Sequence, residues 1–375
     1  MNKSFEFSSS PAFSLVASTD RERILRTADL YLPIPPETIT SHPSERNPGG
    51  PHDYFSEGDY YWRNPADPDA PCIHRDGYSN PDNFQGHRKA MVALSVQVPA
   101  LTAAWILCGD RRYAEHAVDH LLAWFVRPET RMNPHLEYSQ GVHGVTKGSS
   151  WGVIDSLHLT EVARAASFLL DAFMISKEAQ AVRDWFASYL HWMKTSENGA
   201  KERAAANNHA TAWALQASEF ARLIDDEETR RNIRKWYRTV FLPNQMGLDG
   251  GFPRELARTK PYNYSIFNMD VMATLCQSLR TPQENLFDFT LEDGRGACKA
   301  MEFLYPFLAD KSKWSYPRDV EHFDSLPVRS PSLLFCGLAC GREEYVELWK
   351  RLDPDPVDRE VIRNYPIRQP LLWVI

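Results

Sequence analysis

Leu94-Ser-Val-Gln-Val98-Pro99-Ala-Leu101-Thr-Ala-Ala-Trp105-Ile-Leu-Cys108-Gly109 returns an apolar side chain every three or four residues, the repeat of one helix face. Gly109 reads as the stop, and Pro99 predicts a kink or a restart within the run. Immediately downstream, 111–125 brings Ala114, Ala117, Leu121, Leu122 and Trp124 to one side, so the short link at Gly109 and Asp110 predicts an antiparallel hairpin. The same period recurs in Leu159, Val162, Ala165, Ala166 and Leu169, and then over 179–193, 209–223, 227–241, 266–279, 297–308 and 333–349. Upstream, a short amphipathic helix is expected over 20–32, ended by Pro33, Pro35 and Pro36, which remove donors.

No run alternates strictly enough to read as several strands, which disfavours a sheet-based fold. Consecutive helix hairpins remain, and they stack either around a ring or along a solenoid. No 34- or 40-residue repeat is present, which counts against the solenoid. The expected architecture is therefore all-α, an incomplete (α/α) toroid in one domain over 1–375. Residues 33–83, dense in Pro, Gly, Asp, Asn and Ser, interrupt it as a long irregular loop. Its aromatics, including Tyr60, Tyr61 and Trp62, predict an ordered lid or cleft wall whose rings stack on sugars at outer subsites, or else simply pack the loop.

The chain has 375 residues, 43% hydrophobic and 24% charged, enough to bury a large core without staples. Eleven Trp, 15 Tyr and 19 Phe offer flat apolar faces, suited to a large helical core or to sugar rings. Net charge is −7 with both signs spread along the sequence, so no basic stripe tracks a phosphate backbone and nucleic acid is not expected as a partner. A local concentration of Arg, Lys and His can still hold a polyanion. The six cysteines, Cys72, Cys108, Cys276, Cys298, Cys336 and Cys340, show neither zinc spacing nor a disulfide framework. The N-terminus lacks a continuous apolar segment and nowhere do 18 apolar residues run together, giving the expectation of a cytoplasmic protein without a membrane partner, unless a leader has been removed. A Gly-rich phosphate loop, His-Glu-x-x-His and Gly-x-Ser-x-Gly are all missing, so no cofactor and no metal is expected.

Two stretches carry chemistry. Asn207-Asn208-His209 leads into the helix of 210–223, where one Asn is expected to cap the helix and the other to point outward. A first-turn His209 would feel the positive end of the helix dipole, which favours neutral imidazole and a base role. The second stretch, Gly250-Gly-Phe-Pro-Arg254-Glu255-Leu-Ala-Arg258-Thr-Lys260-Pro-Tyr262-Asn-Tyr264-Ser265, clusters cations before two tyrosines. For a uronate this makes sense. Removing the proton at C5 builds charge onto the adjacent carboxylate, which Arg or Asn neutralises, while a base takes the proton and an acid such as Tyr protonates the departing O4. Alternatively, Arg258 and Glu255 form a surface ion pair and both tyrosines are core edges. Gln140 and His143 are further candidates to touch a sugar from the facing side, or ordinary loop residues.

Asn208-His209, followed about fifty residues later by Glu255-Leu-Ala-Arg258 and a tyrosine, resembles the alginate lyase family of polysaccharide lyases. Also similar are Tyr54-Phe-Ser-Glu-Gly-Asp-Tyr60-Tyr61-Trp62, Arg75-Asp-Gly-Tyr-Ser-Asn-Pro81, the Leu107 to Ala114 stretch and Met132-Asn-Pro-His-Leu-Glu-Tyr-Ser-Gln140. The resemblance implies that Asn208 and Arg258 bind the uronate carboxylate, that His209 is its partner or an anti-face base, and that Tyr264 is the acid, and for a syn substrate the base as well. The usual family spacing puts the tyrosine seven residues after the arginine, where this chain has Ser265. Tyr264 at six looks closer to the glucuronan and mannuronan lyases of polysaccharide lyase family thirty-eight, with Tyr262 as the reserve and Arg254 as a further substrate contact. The expected activity is β-elimination of a 1,4-linked uronan, mannuronan or alginate or glucuronan, to 4,5-unsaturated products. Its rivals are an inverting glycoside hydrolase using Asp249, Glu255 and Glu137, and a catalytically silent acidic-sugar-binding protein in which His209 and Tyr264 lie apart.

Overall fold

The computed structural model describes residues 10–67 and 70–375. Ser10 accepts a hydrogen bond from Phe13 N–H and so opens α1 (Pro11–Tyr31), which starts earlier than the 20–32 expected because this cap lies upstream of the apolar pattern. Next come α2 (Gly86–Cys108), α3 (Arg111–Phe125), α4 (Leu159–Phe173), α5 (Ser176–Thr195), α6 (Glu197–Arg203), α7 (Asn208–Leu223) and α8 (Glu227–Trp236). The short α9 (Leu242–Gln245) and α10 (Pro253–Leu256) precede α11 (Pro261–Leu279), α12 (Ala297–Ala309), α13 (Pro331–Ala339), α14 (Glu343–Arg351) and α15 (Arg359–Arg363).

Helix packing explains which faces are apolar. α2 packs on α4, α4 on α7, α7 on α11 and α11 on α13, forming an inner arc. α1 and α3 flank α2, α5 and α8 flank α7, α12 bridges α11 and α13, and α14 backs α13. The hairpins thus form the all-α, incomplete (α/α) toroid. Inner helices touch neighbours on most sides, so α7 and α11 are buried along nearly their whole length, whereas outer α14 keeps only Tyr345, Val346, Leu348 and Trp349 inside. α2 is long and apolar enough to cross a bilayer, but here most of it is covered by protein.

Pro99 sits inside α2, which continues through it without a restart. Three details depart from expectation. The run expected over 227–241 passes from α8 into a π turn at Tyr237–Phe241, and that expected over 333–349 breaks between α13 and α14, where Gly341 takes φ +66. Cys298 and Cys340 form a disulfide with Cα atoms 6.0 Å apart. Spacing could not show that pairing, since it depends on α12 lying against α13.

The 33–83 segment contains local order: a 3-10 turn (Ile39–Ser41), β1 (Phe55–Glu57), β2 (Tyr61–Trp62) and β3 (Ile73–His74). β1 pairs in parallel with β4 (Tyr138–Gly141), and β2 antiparallel with β3. Fully buried Tyr54 donates to Asp155 Oδ2 at 3.1 Å, and Phe55 N–H donates to His87 Nδ1 at 2.9 Å. These bonds fasten the segment across the inner helix ends and make it a wall of the cleft.

Candidate active site

A cavity of about 580 Å³ opens where the N-terminal ends of α7 and α11 meet the 33–83 wall, the 3-10 segment Ser150–His158 and α15. Asn208, His209, Arg258, Tyr264, Tyr60, Tyr61 and Gln140 all line it.

Asn208 occupies the first turn of α7. Its backbone N–H donates to Glu255 Oε1 at 2.8 Å and its side-chain Nδ2 to Glu255 Oε2 at 2.7 Å. Asn207 is the N-cap residue, yet its side chain makes no capping bond, so the expected Asn cap is replaced by a carboxylate from α10. Burial raises the Glu255 pKa, an effect the two Asn208 bonds oppose. Glu255 is thereby committed to holding Asn208, not to a surface pair with Arg258.

His209 Nδ1 lies 2.6 Å from Oε1 of Glu202, a carboxylate on α6 only 2% exposed. Burial alone would lower the imidazole, but the Glu202 charge and hydrogen bond outweigh it and the pKa is raised. The direction is opposite to the lowering expected from the helix end, because a buried carboxylate in contact is a stronger field. Nδ1 donates to Glu202, and Nε2 is left as the ring nitrogen for a ligand.

Arg258 donates from Nη2 to Asp76 Oδ1 at 2.7 Å and from Nε to Oδ2 at 3.3 Å. Burial would raise Asp76, but these bonds hold it below the usual carboxylate range. The guanidinium also lies 4.6 Å from the centre of the Tyr264 ring. The Tyr264 hydroxyl is 2.6 Å from the Tyr60 hydroxyl, joining α11 to the loop wall across 204 residues. Burial, reinforced by Tyr60 and opposed by Arg258, pushes Tyr264 well above its ordinary pKa. Tyr262 is fully buried, packs against Trp314 and Phe323, and donates its hydroxyl to Phe307 O at 2.9 Å. It cannot be the reserve acid, since two residues along a helix turn about 200° and face opposite sides.

The cleft floor was not legible in the sequence. Arg88 donates to Asp59 Oδ1 at 2.5 Å and Asp155 Oδ2 at 3.1 Å, and Arg363 from α15 bonds Asp59 as well. Burial would raise Asp59, but Arg363 and Arg88 keep it low. His158 is pushed down to about 3 by burial together with Arg368, Arg363 and Arg88, so it is neutral. Gln140 takes φ +46, where non-glycine residues are strained by about 1–3 kcal/mol. Its N–H donates to Ser56 Oγ, its carbonyl accepts from Ser149, and its Nε2 donates to Asp155 Oδ1 at 2.8 Å. These bonds hold the strained turn and fix the side chain against the cleft.

Three expected contacts lie elsewhere. Trp62 lies outside the cleft lining: its indole donates to Tyr78 O at 3.2 Å, under the Arg75 guanidinium. His143 is exposed at the tip of the Val142 to Thr146 turn and lines a separate groove. Arg254 is exposed on the four-residue α10, whose buried side is taken by Glu255. The hydrolase carboxylates are not assembled either: Glu137 is exposed, Asp249 accepts from Gly251 N–H, and Glu255 serves Asn208. A silent binding protein would be favoured by His209 and Tyr264 lying far apart, and instead both line one cavity. Among the described residues no group of three His, Cys, Asp or Glu side chains is placed to hold a metal ion.

The sequence profile of the alginate lyase family matches residues 38–314. A crystal structure of an alginate lyase from Bacteroides ovatus is 29% identical, with a TM-score of 0.83 over 97% of this chain and 94% of that one. Alginate lyase A1-III from Sphingomonas species A1 is 16% identical, with a TM-score of 0.53 over 97% and 99%. A variant of alginate lyase A1-III complexed with a tetrasaccharide is also 16% identical, with a TM-score of 0.55 over 98% and 97%. No curated protein matches the chain.

Proposed function

Because the chain belongs to the alginate lyase family and is a polysaccharide lyase, we propose that it cleaves a 1,4-linked uronan of the mannuronan or glucuronan type by β-elimination, leaving a 4,5-unsaturated sugar. The observation that carries this reading is the convergence of Asn208, His209, Arg258 and Tyr264 on one cavity, each with a partner that fixes it. In this reading the uronate carboxylate is met by the second Asn208 amide hydrogen, the His209 Nε2–H and the outer edge of Arg258. The charge that spreads onto it when C5 loses its proton is then neutralised by donors already in place.

The raised pKa of His209 favours its role as an imidazolium partner of the carboxylate over that of anti-face base. That leaves the proton transfers to Tyr264. In β-mannuronate and β-glucuronate the C5 proton and O4 lie on the same side, so one phenol serves both. Its phenolate is stabilised by the Arg258 guanidinium, which opposes the burial that favours the phenol. The phenolate takes the C5 proton, the C4–O4 bond breaks as the C4–C5 double bond forms, and the same proton passes to O4. Guluronate, with the two groups opposed, needs a base across the ring, a role that the Glu202 charge disfavours for His209 because it favours the cationic imidazole.

The test is turnover on polymannuronate, polyguluronate, glucuronan and a glycosaminoglycan, followed by near-ultraviolet absorbance of the new double bond. Absorbance with polymannuronate or glucuronan and little with polyguluronate is expected. Preferential cleavage of polyguluronate would defeat the syn assignment.

A further inference from the structure

A second groove, also about 580 Å³, lies behind the cleft wall, bounded by Arg46, Arg63, His143 and Lys147 with Glu57 at its side. It shares the β1–β4 pair with the cleft: Gln140 lines the cavity, while the next residue, Gly141, lines the groove. The two spaces also meet at Gly58, where a side-chain carbon would touch Tyr61, a cleft residue, and Val142, a groove residue. At this end of the cleft the Tyr61 and Trp151 rings lie within 12° of parallel, 6.4 Å apart, with Trp151 38% exposed. Such a pair is a rim on which sugar rings can stack.

The groove is a local reversal of charge. The chain carries a net −7, yet the groove lining holds three permanent cations, Arg46, Arg63 and Lys147, against the single carboxylate Glu57. Glu57 is itself neutralised by Arg46 at 2.8 Å and accepts from Phe84 N–H at 2.7 Å. Arg63 and Lys147 have no ion-pair partner among the described residues. Two uncompensated cations beside a histidine, in a protein with acidic groups to spare, form a site for an anion.

We propose that this groove is an outer binding site for a uronate segment of the polysaccharide, occupied by chain that leaves the cleft over Tyr61 and Trp151. The inference rests on the uronan reading of the cleft. Its consequence is a preference for long substrates: a polymer reaches both sites at once, and the second contact becomes an intramolecular event.

The experiment compares the native protein with the double variant Arg63→Ala, Lys147→Ala on long polymannuronate and on its tetramer, at low and high salt. Removing two exposed cations is expected to raise KM for the polymer about fivefold at low salt, with kcat unchanged. KM for the tetramer stays the same, and the difference fades at high salt. Arg63→Lys with Lys147→Arg keeps the native polymer KM. An unchanged polymer KM, or an equal rise on polymer and tetramer, overturns the proposal. If the native protein yields no unsaturated product from any uronan, the reading of the cleft fails instead. Calorimetric binding of polymannuronate then decides the groove: weaker binding by the double variant supports it, and equal binding rejects it.

Discussion

Glu202→Gln isolates the charge that sets His209. Glutamine still accepts the Nδ1 hydrogen bond at the position of Oε1, 2.6 Å from the ring, so geometry is conserved and only the negative charge is lost. Two unit charges about 4 Å apart at an effective dielectric near 20 attract by about 4 kcal/mol. The His209 side chain is 23% exposed, so solvent screening reduces that attraction. With the carboxylate gone, burial and the Arg258 charge lower the imidazole and only the Glu255 charge opposes them, so its pKa falls. The assay is kcat/KM on polymannuronate from pH 5 to pH 9, expressed as the ratio of variant to native so that any tyrosine titration cancels. At the acid end the variant comes nearest to holding imidazolium and the ratio is at its highest. It falls as pH rises through the lowered variant pKa, reaching on the order of a hundredfold loss at neutral pH, the scale of removing one donor to a developing anion. A His209→Ala change added to the variant costs little more there. A ratio near one throughout, or a uniform loss at every pH, would refute the assignment of His209 as a charged carboxylate partner.

Tyr264→Phe removes the hydroxyl that moves the proton, and kcat is expected to fall by about 10²–10⁴ with KM nearly unchanged. Tyr60→Phe removes only its hydrogen-bond partner, so the loss is smaller; both are read from initial rates of absorbance. Glu255→Ala strands the buried Asn208 N–H and Nδ2 donors, costing about 3 kcal/mol and lowering Tm by roughly 4 °C in a thermal scan. Glu161, which accepts from Arg368 N–H, Gln369 N–H and the Trp373 indole, is raised by burial to about 7. A folded pKa above the unfolded one gives stability that is complete below about 4.5 and lost as pH climbs through about 7. Glu161→Gln should therefore remove about 3 kcal/mol of that pH dependence in denaturant titrations at pH 4.5 and pH 7.5.

The helices were legible because their period is local: Leu94 to Cys108 states its own face, and Gly109 its own end, at φ +74. What broke the reading was long-range. Nothing near Asn208 in sequence announces that Glu255 will take over its cap, and nothing near His209 says that Glu202, one short helix earlier, will set its charge. Arg88, Asp59 and Arg363 converge from three distant segments, and no spacing predicts that. The tyrosine choice was within reach, since helical geometry puts Tyr262 and Tyr264 on opposite faces once Pro261 is taken as the first residue of α11. His143 was singled out for its neighbours in sequence, whereas the turn at Val142 swings it over the wall into the second groove.

The most direct examination of the central claim is to count, on polymannuronate or glucuronan, new reducing ends and new double bonds in the same reaction. Elimination predicts one double bond for each chain break, at a rate that collapses in Tyr264→Phe; chain breaks without double bonds, or an undiminished rate in that variant, would contradict it.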